Sequence, residues 1–209
     1  MYNRWNFSIS LGTSNVIKLT LFFNYIHIIL IFIISIVIIS LFLIFFCSNN
    51  YLNFYHHSTL EFYWTLIPSV ILFILAIPSL RLLYMVEECT SIYSRCKIIG
   101  NQWYWTYEVY PNISNDSYLI TELNLGDFRL LETDFAFELS INKNYNLLVT
   151  SSDVIHSWSV PNLGIKIDAV PGRLNSVFLN INRVGTYYGQ CSEICGSYHS
   201  YMPIKVIGK

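Results

Sequence analysis

The run GQCSEICGSYHSYMP, residues 189–203, sets two thiols, an imidazole, a thioether and a carboxylate in one short stretch. Cys191 and Cys195 are four apart, His199 follows after four more residues, and Met202 after three. Gly189, Gly196 and Pro203 mark a folded loop rather than a helix end. Soft sulfur donors combined with imidazole favour copper over hard cations. A loop of this kind needs a stiff scaffold to present it, so it constrains the fold around it. Working outward, the next imidazole is His156 in DVIHSW (153–158), between two apparent strands. The donor set is then His156, Cys191, Glu193, Cys195, His199 and Met202. A type 1 copper site uses one cysteine, two histidines and a weak axial ligand, so a second thiolate is surplus there. It suits two coppers bridged by two sulfurs. A structural zinc site takes four Cys or His ligands, of which the loop supplies three. Cysteines four apart can also close a disulfide. Ligand chemistry by itself leaves copper, zinc and a disulfide open.

The rest of the chain divides by charge. Of 209 residues 54% are hydrophobic and only 12% charged, against roughly 25% charged in soluble domains. No Asp, Glu, Lys or Arg occurs over 19–60, and, after Glu61, none over 62–80. Arg4, Lys18 and Arg81 are the only Lys or Arg before residue 91. A net charge of −1 with no basic stripe gives no nucleic-acid surface. An odd number of scattered cysteines, five in all, implies no disulfide framework.

In chain order, residues 1–20 are expected to form a loose N-terminal segment. FFNYIHIILIFIISIVIISLFLIFF, about 22–46, is long enough to cross a hydrocarbon core that needs roughly twenty residues, and too long for a signal-peptide core. His27 near its start is expected at the membrane interface. A short polar connection over 47–60 includes His56 and His57, read as solvated, and a second span covers about 60–85. Pro68 and Pro78 inside it are tolerated where neighbouring helices satisfy the freed backbone. The pair predicts a transmembrane helical hairpin over residues 1–90 with both ends on one side. The connection carries no Lys or Arg, so the positive-inside rule does not orient it. Residues 91–209 instead alternate short β-rich runs (KIIGNQWYWTYEVY, SYLITEL, FAFELSI, NLLVTSS, KIDAVPG, NSVFLNI, TYYGQC) with turn residues. That spacing predicts an all-β sandwich or Greek key barrel. Alternation along WYW places Trp103 and Trp105 on one strand face and Tyr104 on the other.

Four runs carry a family resemblance: EFYWTLIPSVILFILAIPSLRLLYMVEE (61–88), GNQWYWTYE (100–108), DVIHSWSVPNLGIKIDAVPGRLN (153–175) and YGQCSEICGSYHSYMP (188–203). Together they resemble subunit II of the haem–copper cytochrome c oxidases, in the family's order and over more than a third of the chain. The resemblance implies a cupredoxin-like fold for 91–209 and a dinuclear copper A centre within it. It matches Cys191 and Cys195 to the bridging thiolates, His156 and Met202 to ligands of one copper, and His199 with the Glu193 carbonyl to ligands of the other. The Glu193 side chain matches a magnesium ligand at the interface with the large subunit, subunit I. Trp103 matches the residue that receives electrons from cytochrome c, and Glu108, Asp134 and Asp153 match carboxylates that attract its lysine rim. Glu61 matches the mouth of a proton path into subunit I. The function implied is electron acceptance from reduced cytochrome c and delivery to haem a, where oxygen is reduced to water with proton pumping.

This chain departs from the pattern in places. Asn101 stands where many relatives have histidine, residues 111–115 carry no carboxylate, and seven residues follow Met202 where many relatives carry a longer tail. Cys47, Cys89 and Cys96 match no ligand and are read as structural. A membrane-anchored copper-delivery protein would use Cys-x₃-Cys and histidine without needing Met202 or Trp103. A quinol-oxidase relative would have lost the ligands, and a disulfide-stapled sensor would not need them. The resemblance places the copper domain outside an energy-transducing membrane, with the loop inside. Heavy use of Ile, Phe, Tyr and Asn points to the mitochondrial inner membrane, with a bacterial plasma membrane as the alternative.

Overall fold

The computed structural model describes residues 12–46, 56–87, 91–109 and 113–209. Expectations for residues 1–11, most of the 47–60 connection, Cys47, Cys89 and positions 110–112 lie outside them. The chain forms two units, and each is described by itself: residues 18–85, and a β unit that takes in residues up to Ile17 and from Val86 onward.

Two helices, α1 (Ser14–Phe46) and α2 (Ser58–Glu87), make up most of the first unit. Their side chains are exposed along almost the whole length, which for Ile- and Phe-rich surface means lipid rather than water. Serines turn inward on their own helix: Ser35, Ser40 and Ser69 donate to the carbonyl four residues back, which satisfies a hydroxyl in hydrocarbon. His27 does the same, with Nδ1 2.9 Å from the Phe23 carbonyl. His57 is not merely solvated. Its Nδ1 accepts the Leu60 N–H at 3.1 Å and caps the start of α2.

α1 starts at Ser14, before the expected 22, and ends at Phe46 as expected, while α2 runs about two residues past each end of the expected 60–85. Residues 12–17 are not loose. Gly12 N–H donates to Asn162 O at 3.0 Å, and Asn182 N–H donates to Gly12 O at 2.7 Å. Thr13 Oγ1 donates to Leu163 O and accepts the Val16 N–H, capping the first turn of α1. Polar composition suggested a free segment; backbone hydrogen bonds to residues far along the chain decide otherwise.

The β unit is a sandwich. One sheet has the order β3–β2–β1–β5–β8: Ile113–Ser117, Tyr104–Val109, Ser94–Asn101, Asn144–Ser151 and Asn175–Asn180. The other has the order β4–β10–β9–β6–β7: Phe137–Leu139, Pro203–Gly208, Gly185–Cys191, His156–Val160 and Ile165–Ala169. β1 pairs parallel to β5 and β10 parallel to β4, so the chain crosses between sheets rather than meandering. Alternate residues of β5 (Tyr145, Leu147, Val149) enter the core, as period-two patterning requires. All of β6 is buried, and Trp158, Tyr107 and Phe137 fill the space between the sheets.

Three expectations are corrected here. His156 opens β6 rather than lying between strands. SYLITEL is irregular beyond Ser117, apart from one bridge at Leu119, while Pro203–Gly208 is a strand the turn signals hid. KIIGNQWYWTYEVY is not one strand but the hairpin β1–β2, turning at Gln102-Trp103. Trp105 is therefore in the core while Trp103 stands at the turn, free to face something else.

Candidate metal centre

The end of β9, the loop after it and the start of β6 meet at one end of the sandwich. Trp158 and Cys191 are Cα partners across β6 and β9, which fixes Cys191 beside the opening of β6. Gly189 permits this pairing. A Cβ there would lie 2.0 Å from the Ser159 carbonyl oxygen, so only glycine lets the strands approach this closely. The loop after Cys191 turns back through Gly196 at φ 122°, a backbone conformation that L side chains rarely adopt. The short 3₁₀ turn His199–Tyr201 then leads into β10 through Met202.

All six expected donors converge. Cys191 Sγ lies 3.9 Å from Cys195 Sγ and 3.9 Å from His156 Nδ1, and 3.4 Å from the Glu193 carbonyl oxygen. Cys195 Sγ lies 3.4 Å from His199 Nδ1 and 3.5 Å from Met202 Sδ. Both cysteines are free thiols. His156 is fully buried and Met202 nearly so. Burial raises both thiols, but hydrogen bonds from His156 and the Glu193 and Ser157 backbone outweigh it at Cys191 and bring that thiol down. Cys195 moves up, through burial and then through the neighbouring sulfur. One thiolate is easy to form here, and a second next to it calls for a cation. The donor set therefore fits a soft metal centre held by two thiolates.

Asp153 is not a free surface acid. Its Oδ1 lies 2.9 Å from His156 Nε2, and its Oδ2 accepts the Gln102 N–H at 2.7 Å. Its pKa falls: burial opposes this, and the His156 contact and the Val154 and Gln102 N–H groups overcome it. With Nε2 held by the carboxylate, His156 presents Nδ1 to the sulfurs. The β1–β2 turn reaches the same loop from the other side. Gln102 Nε2 donates to the Cys195 carbonyl at 2.8 Å, and Trp103 Nε1 to the same oxygen at 3.3 Å. Tyr198 packs on Trp103 edge-on, with ring centroids 5.0 Å apart.

The other acids separate. Glu108 pairs with Lys97 at 3.1 Å, partway down the hairpin from Trp103. Asp134 Oδ1 accepts the Tyr118 N–H at 2.7 Å. Asp116 escaped the sequence reading because the acid-free 111–115 segment ends one residue before it. Its carboxylate takes the Thr106 hydroxyl at 2.7 Å, and Asn101 donates to that same hydroxyl oxygen at 3.0 Å. So Asn101 still serves a hydrogen-bond chain leading from Ser152 toward Asp116. Tyr104 stacks on Tyr118, with centroids 4.5 Å apart, between these acids. The Tyr118 phenol is raised by local desolvation, then by Tyr104 and the charges of Asp116 and Asp134. A negative patch thus surrounds an aromatic pair one residue along from Trp103.

Cys96 is buried under the sheet and its thiol is pushed up to about 11 by that burial, so it is inert. Glu193 is exposed. Glu61 sits in the first turn of α2, with its carboxylate 3.2 Å from His56 Nδ1.

Two family models match the chain. One, described as cytochrome c oxidase subunit II, periplasmic domain, matches residues 95–208; the other, the transmembrane domain of the same subunit, matches residues 3–82. Cytochrome c oxidase subunit 2 of Aedes aegypti is 47% identical over 195 residues, covering 90% of this chain and 85% of the relative. That of Ctenocephalides felis is 44% identical over 211 residues, covering 98% and 92%. Among solved structures, the periplasmic domain of subunit II of the Bradyrhizobium japonicum cytochrome oxidase superposes with a TM-score of 0.55 at 36% identity, over 58% of this chain and 88% of that one. A second, at TM-score 0.51 and 35% identity, covers 58% of this chain and 85% of that one; it is a subunit II caught in a mixed disulfide with a thioredoxin-like protein.

Proposed function

This chain belongs to the cytochrome c oxidase subunit II family, and from that premise we propose that it is the subunit through which electrons reach the oxidase. It accepts them from reduced cytochrome c at a dinuclear copper A centre and delivers them to haem a in subunit I, where oxygen reduction drives proton pumping. The observation that carries this reading is the convergence of both thiols, both imidazoles, the Met202 thioether and the Glu193 carbonyl at one end of the sandwich.

When bound, two bridged coppers supply a one-electron couple with its charge spread over both ions. Cys191 and Cys195 would bridge them, His156 and Met202 would hold one, and His199 with the Glu193 carbonyl the other. The protein's contribution is rigidity. Ligands drawn from strand ends and a hydrogen-bonded loop hold their places when the metal charge changes. Trp103 is the electron-accepting edge: its ring is partly exposed at the hairpin turn, and its N–H bonds the Cys195 carbonyl. Asp134, the stacked Tyr104–Tyr118 pair and Asp116 would steer the basic rim of cytochrome c, with Glu108 and Asp153 weakened in that role by Lys97 and His156.

The exposed Glu193 carboxylate suits a magnesium ion at the border with subunit I, a hard ligand for a hard cation. Glu61 suits the mouth of a proton path, with its carboxylate beside His56 at the start of α2. Both thiols have to stay reduced until copper arrives, which is a task for a thioredoxin-like partner. The membrane is the mitochondrial inner membrane, with the β unit in the intermembrane space, in keeping with the insect relatives.

Copper analysis and electron paramagnetic resonance of the assembled oxidase test the centre. Two coppers sharing one unpaired electron are expected in this chain; a single copper without sharing would favour a delivery role. Trp103→Phe is expected to leave that spectrum and the copper content intact. It should slow electron uptake from cytochrome c on the order of 10²-fold, the loss that a misplaced reacting group brings. Stopped-flow reduction of the centre measures it, and an unchanged rate would remove Trp103 from the route. Asp153→Ala is expected to weaken copper retention by about 10–100-fold, as loss of a histidine-orienting carboxylate does. Chelator competition reads this directly, and retention equal to wild type would return Asp153 to the docking surface alone.

A further inference from the structure

The charge-free stretches of α1 and α2 end at the same level, at Lys18 on one helix and Arg81 on the other. These two cations line one groove between the helices, of about 340 Å³, together with Phe22, Tyr25, Pro78 and Met85. Tyr25 also lines a second groove of about 340 Å³, walled by Ile28, Phe32, Ile71 and Ile74. The pattern has a simple origin. Lys18, Phe22, Tyr25, Ile29 and Phe32 recur every three or four residues and so fall on one face of α1. Met85, Arg81, Pro78, Ile74 and Ile71 do the same on α2 in descending order. The two stripes run antiparallel and make one track, charged at its upper end and apolar below.

We propose that this track is a binding site for an acidic glycerophospholipid, with the phosphate between Lys18 and Arg81 and one acyl chain laid along Tyr25, Phe32 and Ile71. Three observations fit that occupant. Neither cation faces a carboxylate among the described residues, and two unpaired cations beside hydrocarbon call for a multiply oxygenated anion. Their level is where the apolar run stops, which is the depth of lipid phosphates rather than of soluble anions. The distance fits as well. Phe22 to Phe32 rises about 15 Å at 1.5 Å per residue, half of a hydrocarbon core of roughly 30 Å and hence the depth of one leaflet.

The test uses the intact oxidase in phosphatidylcholine vesicles doped with a photoactivatable phosphatidylglycerol carrying the reactive group on its acyl chain. Adducts are expected to concentrate on peptides holding residues 18–32 and 71–85. An equally labelled phosphatidylcholine should give far fewer. The Lys18→Gln, Arg81→Gln double variant should lose about 25-fold in site labelling, roughly fivefold for each cation placed against an anionic headgroup. Labelling spread evenly over both helices, equal labelling by the zwitterionic lipid, or cross-linking of the track to another oxidase subunit would each overturn the proposal. If the double variant does not assemble, the comparison of the two lipids on the wild-type enzyme decides alone.

Discussion

Replacing Cys195 with serine is expected to leave this subunit with at most one copper and to cut oxidation of cytochrome c by the assembled enzyme by at least about 100-fold. Loss of a residue that merely orients a metal ligand already costs up to about that much. Cys195 Sγ is the hub of the cluster, touching the Cys191 sulfur, His199 Nδ1 and Met202 Sδ. A serine hydroxyl is a harder donor that stays protonated near neutrality, so it cannot replace a bridging thiolate. The shared-electron resonance signal should disappear even where a residual copper remains on Cys191 and His156. Metal analysis with electron paramagnetic resonance separates this from misfolding, because the serine variant keeps the hydrogen bonds to the loop's backbone carbonyls, including that from Gln102 Nε2 to Cys195 O. Two coppers with a wild-type signal in the variant would end the bridged-pair reading.

The second large effect is expected at a residue with no chemistry. Gly189→Ala places a methyl 2.0 Å from Ser159 O and 3.0 Å from Val160 Cγ2. The nearest obstacle is the backbone of β6, which no side-chain rotation can relieve. Overpacking of this kind costs about 3 kcal/mol or more. For a domain of this size that corresponds to a Tm lower by roughly 10–15 °C. Because Gly189 lies two residues before Cys191 and β6 opens with His156, separating the strands also pulls two of the proposed ligands apart. Copper should be lost well below the melting temperature. Gly185→Ala in the same strand is the control, since a Cβ there meets only the Tyr187 ring, at 3.9 Å. A thermal melt followed by copper release would distinguish the two variants, and equal stability would refute the close-approach argument.

Much of this protein was legible in one dimension because the relevant physics is local. Two runs without a charge fix two membrane spans, since a bilayer reads only length and polarity. Period-two patterning and turn residues fix a β domain. The donors favour a soft metal, because softness belongs to the side chain and not to the fold, although zinc and a disulfide stay open on the donors alone. That is why Cys191, Cys195, His199 and Met202 could be picked from a single loop.

What the tertiary structure decided is everything that depends on residues meeting across the chain. Asp153 looked like a docking acid; its 2.9 Å contact with a buried imidazole makes it the group that aims His156. Trp103 looked like one member of an alternating strand; the turn between β1 and β2 separates it from Trp105 and brings it to the Cys195 carbonyl. Residues 12–17 looked unstructured until Asn162 and Asn182 supplied their hydrogen-bond partners. A carboxylate, an indole and a glycine amide have the same intrinsic chemistry in any of these settings. Their roles follow from which partner the sandwich sets within hydrogen-bonding distance, and sequence spacing does not encode that.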